Sequence, residues 1–322
     1  MEFSRQFLIW LNSIDFLQDF TLVALPGDAS FRRYSRVYTS AGTFIAVDAS
    51  AEKESCQPFV TIASNLRANK LLAPEVFAED LAAGFLLLTD FGDDLYLKNI
   101  NSQNADQLYH NALIALSNMR NCSVDGLPIF SHEVMLNELN LFREWFLEKY
   151  LTIKLSAQKK LMLDDTFNFL IAEISSQPNV FMHRDYHSAN LLILPENNVG
   201  IIDFQDACLG PITYDLVSLL RDCYVDWPEA KVIEWALSYK KMLNFPQISS
   251  EDFLYWFDLT GLQRHLKALM IFSRKYCRDG SENYLQHIPL TLNYALKISK
   301  KYSFTADLFN FLMDEVLEKC EA

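Results

Sequence analysis

Phe181-Met182-His183-Arg184-Asp185-Tyr186-His187-Ser188-Ala189-Asn190, followed thirteen residues on by Asp203-Phe204, is the stretch that decides the fold of this chain. Between the two pieces, residues 191–194 and 199–202 are short apolar runs joined by the turn-rich Pro195-Glu196-Asn197-Asn198, and they read as a β-hairpin. A hairpin returns the chain beside its start, so Asn190 at its entrance and Asp203 at its exit are expected at the same end. Two oxygen ligands placed there suit a hard cation such as Mg²⁺, which keeps several waters and takes its other ligands from phosphates. Asp185, five residues before Asn190, falls in the loop facing that cation. A carboxylate there can accept the proton of a hydroxyl that attacks a γ-phosphate. One Asp in such a loop reads equally well as a solvated acid; the four positions at these spacings together point to phosphoryl transfer.

The composition bounds the rest. A chain of 322 residues, half of them hydrophobic, is long enough for two lobes with a real core. Lys and Arg total 28 against 41 Asp and Glu, a formal charge of −13, which argues against nucleic acid as a partner because such binding needs a basic footprint. The first residues lack the charged region, long apolar core and cleavage site of a secretory signal, and no run of about 18 apolar residues suggests a spanning helix. The six cysteines are scattered, with no C-x-x-C and no metal-like pairing with His. A cytoplasmic enzyme with reduced thiols is expected, with neither a membrane nor a protein partner implied.

Helical spacing of Phe7, Leu8, Leu11, Ile14 and Phe16 predicts a helix within residues 3–20. The pattern then changes to strands at 21–25, 33–39 and 43–47, separated by Pro26-Gly27-Asp28 and Ser40-Ala41-Gly42, a small antiparallel meander. A helix over 56–72 ends at Pro74, and a further strand at 85–88 leads into a hinge over 89–94. Beyond it, residues 104–119, 133–150, 157–175, 214–223, 231–242, 251–277, 284–302 and 306–318 carry helical periodicity. The expected fold is α+β, with a small β-rich N-lobe over 1–92 and a larger, mainly helical C-lobe over 93–322.

With these residues in view, the chain resembles the aminoglycoside phosphotransferase/choline kinase-like family, a two-lobed protein-kinase-like fold. Asp28-Ala29-Ser30-Phe31-Arg32-Arg33-Tyr34, Ile202-Asp203-Phe204-Gln205-Asp206-Ala207, Gly210-Pro211-Ile212-Thr213-Tyr214-Asp215-Leu216 and Gly261-Leu262-Gln263-Arg264-His265-Leu266-Lys267 look like the N-acetylmuramate/N-acetylglucosamine anomeric kinases of bacterial cell-wall recycling. The resemblance implies ATP and Mg²⁺ as cofactors and a small-molecule sugar as acceptor. It makes Asp185 the catalytic base, Asn190 and Asp203 the Mg²⁺ ligands, His183 a brace of the loop and Asp215 a structural support for it.

The nucleotide half departs from the kinase pattern. The loop 27–31 carries one glycine instead of G-x-G-x-x-G, so Ser30, Phe31 and neighbouring N–H groups are the candidates for cradling phosphate. The third strand reads Phe44-Ile45-Ala46-Val47-Asp48, with Asp48 where V-A-I-K places the phosphate-pairing lysine. Arg32, Arg33 and Lys53 are the cations that could substitute, and Asp90 in the hinge is a further nucleotide-binding candidate.

Acceptor choice turns on charge. Aminoglycosides are polycations that suit an acidic chain; N-acetylmuramate carries a carboxylate and requires a cation. Arg264, Lys267, Arg274, Lys275 and Arg278 share one helical face, which reads either as a solvated stripe or as an acceptor surface. Arg264 and His265 are the preferred substrate contacts, with Gln205 and Asp206 as sugar-hydroxyl partners. The alternatives are an aminoglycoside or choline-like alcohol phosphotransferase and, from another class, a catalytically silent nucleotide-binding pseudokinase supported by Asp48.

Overall fold

The computed structural model describes residues 3–17, 19–26 and 32–321. Along the chain run α1 (Arg5–Asn12), β1 (Thr21–Ala24), β2 (Arg33–Thr39), β3 (Gly42–Asp48), α2 (Cys56–Ala68), β4 (Val76–Asp80), β5 (Phe85–Thr89) and the short α3 (Tyr96–Asn99). Then come α4 (Ala105–Met119), α5 (His132–Leu141), α6 (Ala157–Ser175), β6 (Asn179–Met182), β7 (Leu191–Ile193), β8 (Val199–Ile201) and β9 (Cys208–Pro211). The chain closes with α7 (Tyr214–Leu220), α8 (Glu229–Leu243), α9 (Ser250–Asp279), α10 (Ile288–Lys301), α11 (Ala306–Phe311) and α12 (Glu318–Glu321). The α+β expectation holds. Two compact units result, residues 1–101 with 190–206, and residues 102–189 with 207–322. This division is not a single cut at residue 92: the β7–β8 hairpin belongs with the first unit.

The first unit is an antiparallel sheet ordered β1-β2-β3-β5-β4. Register pairs Tyr34 with Val47 and Val47 with Leu86, while Ser35, Ala46 and Leu87 line up on the opposite face. That second face is the core side. Phe7 and Leu11 of α1 pack there on Val37, Ala46, Phe85 and Leu87, with the Phe7 and Phe85 rings 5.2 Å apart. Each such buried side chain contributes about 1.5–3 kcal/mol, enough for a helix of two turns to seal one side of the sheet. The hairpin is held to the same unit by backbone bonds, from Ile193 N–H to Asp94 O (2.8 Å) and from Ile201 N–H to Leu72 O (2.8 Å).

In the second unit α9 is the central element, and residues 257–270 of it are buried on every side, so α5, α6, α7 and α10 pack around it. The helix predicted over 133–150 begins as α5 and widens to π winding at Phe142–Tyr150. Strands β4, β6 and β9 went unread: they are short, and β6 and β9 form a separate two-stranded pair.

One buried charge cluster fixes the end of α7 on α9. Asp258 Oδ1 lies 2.8 Å from Arg221 Nη1, a charge contact rather than a hydrogen bond, and its Oδ2 accepts from Lys301 Nζ (2.5 Å) and Tyr302 OH (2.7 Å). Removing one partner of such a pair leaves a buried charge uncompensated. Asp258→Ala is therefore expected to lower stability by about 3 kcal/mol. A shifted urea midpoint with unchanged slope would show it; a midpoint equal to the parent's would refute the assignment.

Candidate active site

The loop 183–190 follows β6, and the second unit pins it at both ends. At its start, Asp215 at the head of α7 accepts from two successive backbone N–H groups, His183 (2.6 Å) and Arg184 (3.0 Å). Arg184 sits at φ +76°, a left-handed conformation that bulky side chains take only where surroundings enforce it. Burial pushes the Asp215 carboxyl up to about 7, against the two N–H bonds that favour its ionised form. Further along, Asp222 Oδ2 accepts from the N–H (2.9 Å) and hydroxyl (2.5 Å) of Ser188. His183 is fully enclosed, and its Nδ1 accepts from the N–H of Asp185 at 3.3 Å. His183 and Asp215, read from the sequence as brace and support, both bond the backbone of residues 183–185. Asp222 was missed, because an acid just past a helix end carries no spacing signal.

Asp185 is half-buried and faces cations. Burial alone would raise its carboxyl, but Lys267, His187, Arg264 and His183 together hold it well below the usual carboxylate range. Lys267 and Arg264 lie on α9, where their relative exposures are only 8% and 6%. The basic stripe is therefore not a solvated face along its length: its first two members are interior charges, and only the later ones reach solvent. Lys267 donates to Tyr214 OH at 3.1 Å and lies 3.8 Å from Glu138, which also accepts from Arg184 (3.0 Å) and Gln263 (2.9 Å). Burial works against the Lys267 charge, yet Tyr214, Glu138 and Asp185 hold its pKa above the ordinary value. Glu138 was not read from the sequence, since a lone acid inside an apolar helix gives no pattern. Arg264 differs from Lys267: among the described residues its side chain makes a long contact from Nη1 to the Cys223 thiol, 3.9 Å.

His265 is a correction. It is 0% exposed, its ring stacks on Tyr294 at 4.8 Å, and its Nε2 meets the Arg221 carbonyl at 3.0 Å. Burial, with the Arg264 and Arg221 charges adding to it, pushes its pKa down to about 3, so the imidazole is a neutral packing group and not a substrate contact.

In the first unit the β7–β8 hairpin forms with Leu191 opposite Ile201. Asn190 and Asp203 meet at its mouth, Nδ2 to Oδ2 at 3.3 Å, and Gln205 Nε2 donates to the other Asp203 oxygen at 2.9 Å. Asp203 is exposed and holds φ +65°. Asp206 is exposed beside it in sequence, and Phe204 stacks on Phe59 of α2 at 4.8 Å. The donor set, a carboxylate and a carboxamide open to solvent, suits a hard cation that keeps waters and phosphate oxygens. Among the described residues no group of three His, Cys, Asp or Glu forms a closed metal cage.

The nucleotide candidates divide. Ser30 and Phe31 lie outside the described residues. Asp90 is engaged within the unit: its carboxylate accepts from Arg36 Nη2 (3.1 Å) and Gly92 N–H (2.9 Å) at Oδ1 and faces Arg36 Nε (2.7 Å) at Oδ2. Arg36 also grips Asp93 with two bonds, at 2.8 and 2.9 Å. Arg33 is corrected, since strand alternation puts it with Ser35 on the α1 side of the sheet, opposite Asp48. Asp48 shares that side; its carboxylate accepts from Ser50 N–H at 3.0 Å and has no bearing on phosphate. Arg32 faces the other way and lines a pocket with Tyr34, Val47, Cys56 and Phe59.

The model of the phosphotransferase enzyme family matches residues 21–251. An N-acetylmuramate/N-acetylglucosamine kinase of Pseudomonas aeruginosa is 40% identical over 85% of this chain and 82% of its own, and one of Neisseria meningitidis is 36% identical over 95% and 94%. Among solved structures, an ADP-bound aminoglycoside phosphotransferase superposes with TM-score 0.63 at 13% identity, over 92% of this chain and 99% of its own. A choline kinase from Streptococcus pneumoniae gives 0.63 at 12%, over 91% and 100%. On the family match and the identity across most of both chains, this protein belongs to the phosphotransferase enzyme family.

Proposed function

We propose that the protein is an ATP-dependent sugar kinase that phosphorylates the anomeric hydroxyl of N-acetylmuramate and N-acetylglucosamine in cell-wall recycling. The observation that carries this reading is Asp185, half-buried and held ionised beside Arg264 and Lys267, in a chain 40% and 36% identical to kinases named for those two sugars. Neighbouring cations suit an acceptor with a carboxylate and disfavour a polycationic aminoglycoside. The silent-domain alternative is disfavoured because the relatives 40% and 36% identical over most of the chain are named kinases.

In this reading the first unit takes ATP and the second takes the sugar. Asp185 accepts the proton of the anomeric hydroxyl as that oxygen bonds to the γ-phosphorus, and the bond from the γ-phosphorus to the bridging oxygen breaks to release ADP. Asn190 and Asp203 would hold Mg²⁺, whose charge offsets that of the phosphates. Gln205 orients Asp203 through its amide. His183, Asp215 and Asp222 keep the loop rigid, so the base needs no reorganisation during transfer. The reading includes action in the cytoplasm; among the described residues no helix is long and apolar enough to cross a membrane.

An ATP-consumption assay with N-acetylmuramate, N-acetylglucosamine, kanamycin and choline, each with and without Mg²⁺, tests the proposal. Turnover is expected with the two sugars and only with Mg²⁺. Preference for kanamycin or choline, or no consumption at all, would sink it.

A further inference from the structure

A kinase of this fold ordinarily grips phosphate with a lysine from the third strand, paired to a glutamate on the following helix. Neither group is available here. On the pocket side β3 presents Val47, opposite Tyr34 on β2 and Leu86 on β5, and Ala49 follows it. The next element, from Ser55 into α2, meets the same pocket with Ser55, Cys56 and Phe59, and among the described residues no carboxylate lines it. The ion pair is replaced on both sides by small or apolar groups.

Among the described residues the one charged group lining this pocket is Arg32, just ahead of β2. Alternation explains its direction: Arg32, Tyr34 and Arg36 share a face, whereas Arg33 and Ser35 share the other. The Tyr34 phenol connects Arg32 to the cation site within the same unit. Burial raises the phenol's pKa, Arg32 opposes that rise through space and through a hydrogen bond, and the charge of Asp203 adds to it. Tyr34 therefore lies within electrostatic reach of both Arg32 and Asp203. A second link is the Phe59 wall of the pocket, stacked on Phe204, the residue after Asp203.

From this arrangement we infer that Arg32 is the phosphate-binding cation of the nucleotide site, performing from the approach to the second strand the task a third-strand lysine performs elsewhere, with Tyr34 positioning its guanidinium. The inference rests on the ATP-dependent reading above. Arginine changes the character of the grip: its planar fork engages two phosphate oxygens together and keeps its charge at every accessible pH, where a lysine offers a point charge.

Calorimetric titration of the full chain with adenosine, ADP and ATP, for the parent, Arg32→Met, Arg32→Lys and Tyr34→Phe, tests it. Arg32→Met is expected to weaken ADP and ATP by about 10- to 100-fold and to leave adenosine unchanged. Arg32→Lys should restore part of the loss, and Tyr34→Phe should give a smaller loss that is again confined to the phosphorylated ligands. Equal weakening of adenosine would mean that the pocket wall had collapsed, and would overturn the assignment. So would unchanged ADP affinity in Arg32→Met, or the same phosphate-specific loss in Lys53→Met instead. A parent that binds none of the three would remove the ATP reading itself, a result distinct from loss in the variants alone.

Discussion

Asp185→Asn is expected to lower kcat by about 100- to 10,000-fold while the affinity for ADP stays within about threefold of the parent. The substitution keeps the size of the side chain and removes the proton acceptor. Everything that shapes the loop is left in place, because the bonds from His183 and Arg184 to Asp215, from Ser188 to Asp222 and from the Asp185 N–H to His183 use other atoms. Stopped assays of ADP release, with calorimetry for nucleotide binding, separate the two effects. Activity within tenfold of the parent would remove Asp185 from the role of base. Its environment adds a pH test. Because the Asp185 carboxyl sits well below the usual carboxylate range in the folded protein, it stays ionised as pH falls to about 5 and should contribute no acid limb above that point. Removing the Lys267 charge by Lys267→Met lets that pKa rise, so an acid limb should move up into the measurable range for both sugars. An unmoved profile would show that Lys267 serves only to pack against Tyr214 and Glu138.

The residues that were legible in the sequence are those whose task fixes their spacing. Asn190 and Asp203 bracket a hairpin, and a hairpin has one geometry, so their meeting follows from two apolar runs and a turn. The helices of the second unit were readable from their period, and even the buried α9 kept enough polar punctuation to show its length. What stayed hidden depends on tertiary partners. Glu138 and Asp222 are single acids whose value comes from donors distant in sequence, Gln263 and Ser188 among them. Asp90 looked available in the hinge because nothing local announces Arg36, fifty-four residues earlier, as its partner. Asp48 was misread by one residue of register. In a strand that shift exchanges the two faces, so aligning its sequence with V-A-I-K pointed to a side chain directed away from the pocket. His265 shows the remaining gap, for periodicity placed it on α9 beside Arg264, and only packing reveals that one turns toward Asp185 and the other into the core.

Arg264→Met is expected to separate the two sugars. N-acetylmuramate carries a carboxylate that N-acetylglucosamine lacks, and among the described residues the Arg264 guanidinium bonds only the Cys223 thiol, in a long contact. A bidentate carboxylate is the partner that the planar fork of a guanidinium fits. Losing one side of such a desolvated charge pair costs about 2–4 kcal/mol, so kcat/KM for N-acetylmuramate should fall by about 30- to 1,000-fold. Arg264 also helps to keep Asp185 ionised, and that effect is common to both acceptors. The neutral sugar therefore serves as the internal reference: with N-acetylglucosamine at pH 8, well above the Asp185 transition, the loss should stay below about tenfold. Arg264→Lys, which keeps the charge but not the fork, should fall between the two for N-acetylmuramate. Parallel losses for both sugars would assign Arg264 to the support of Asp185 alone. Selective loss for the carboxylate-bearing sugar would make a single buried arginine the residue through which this kinase distinguishes its acceptors.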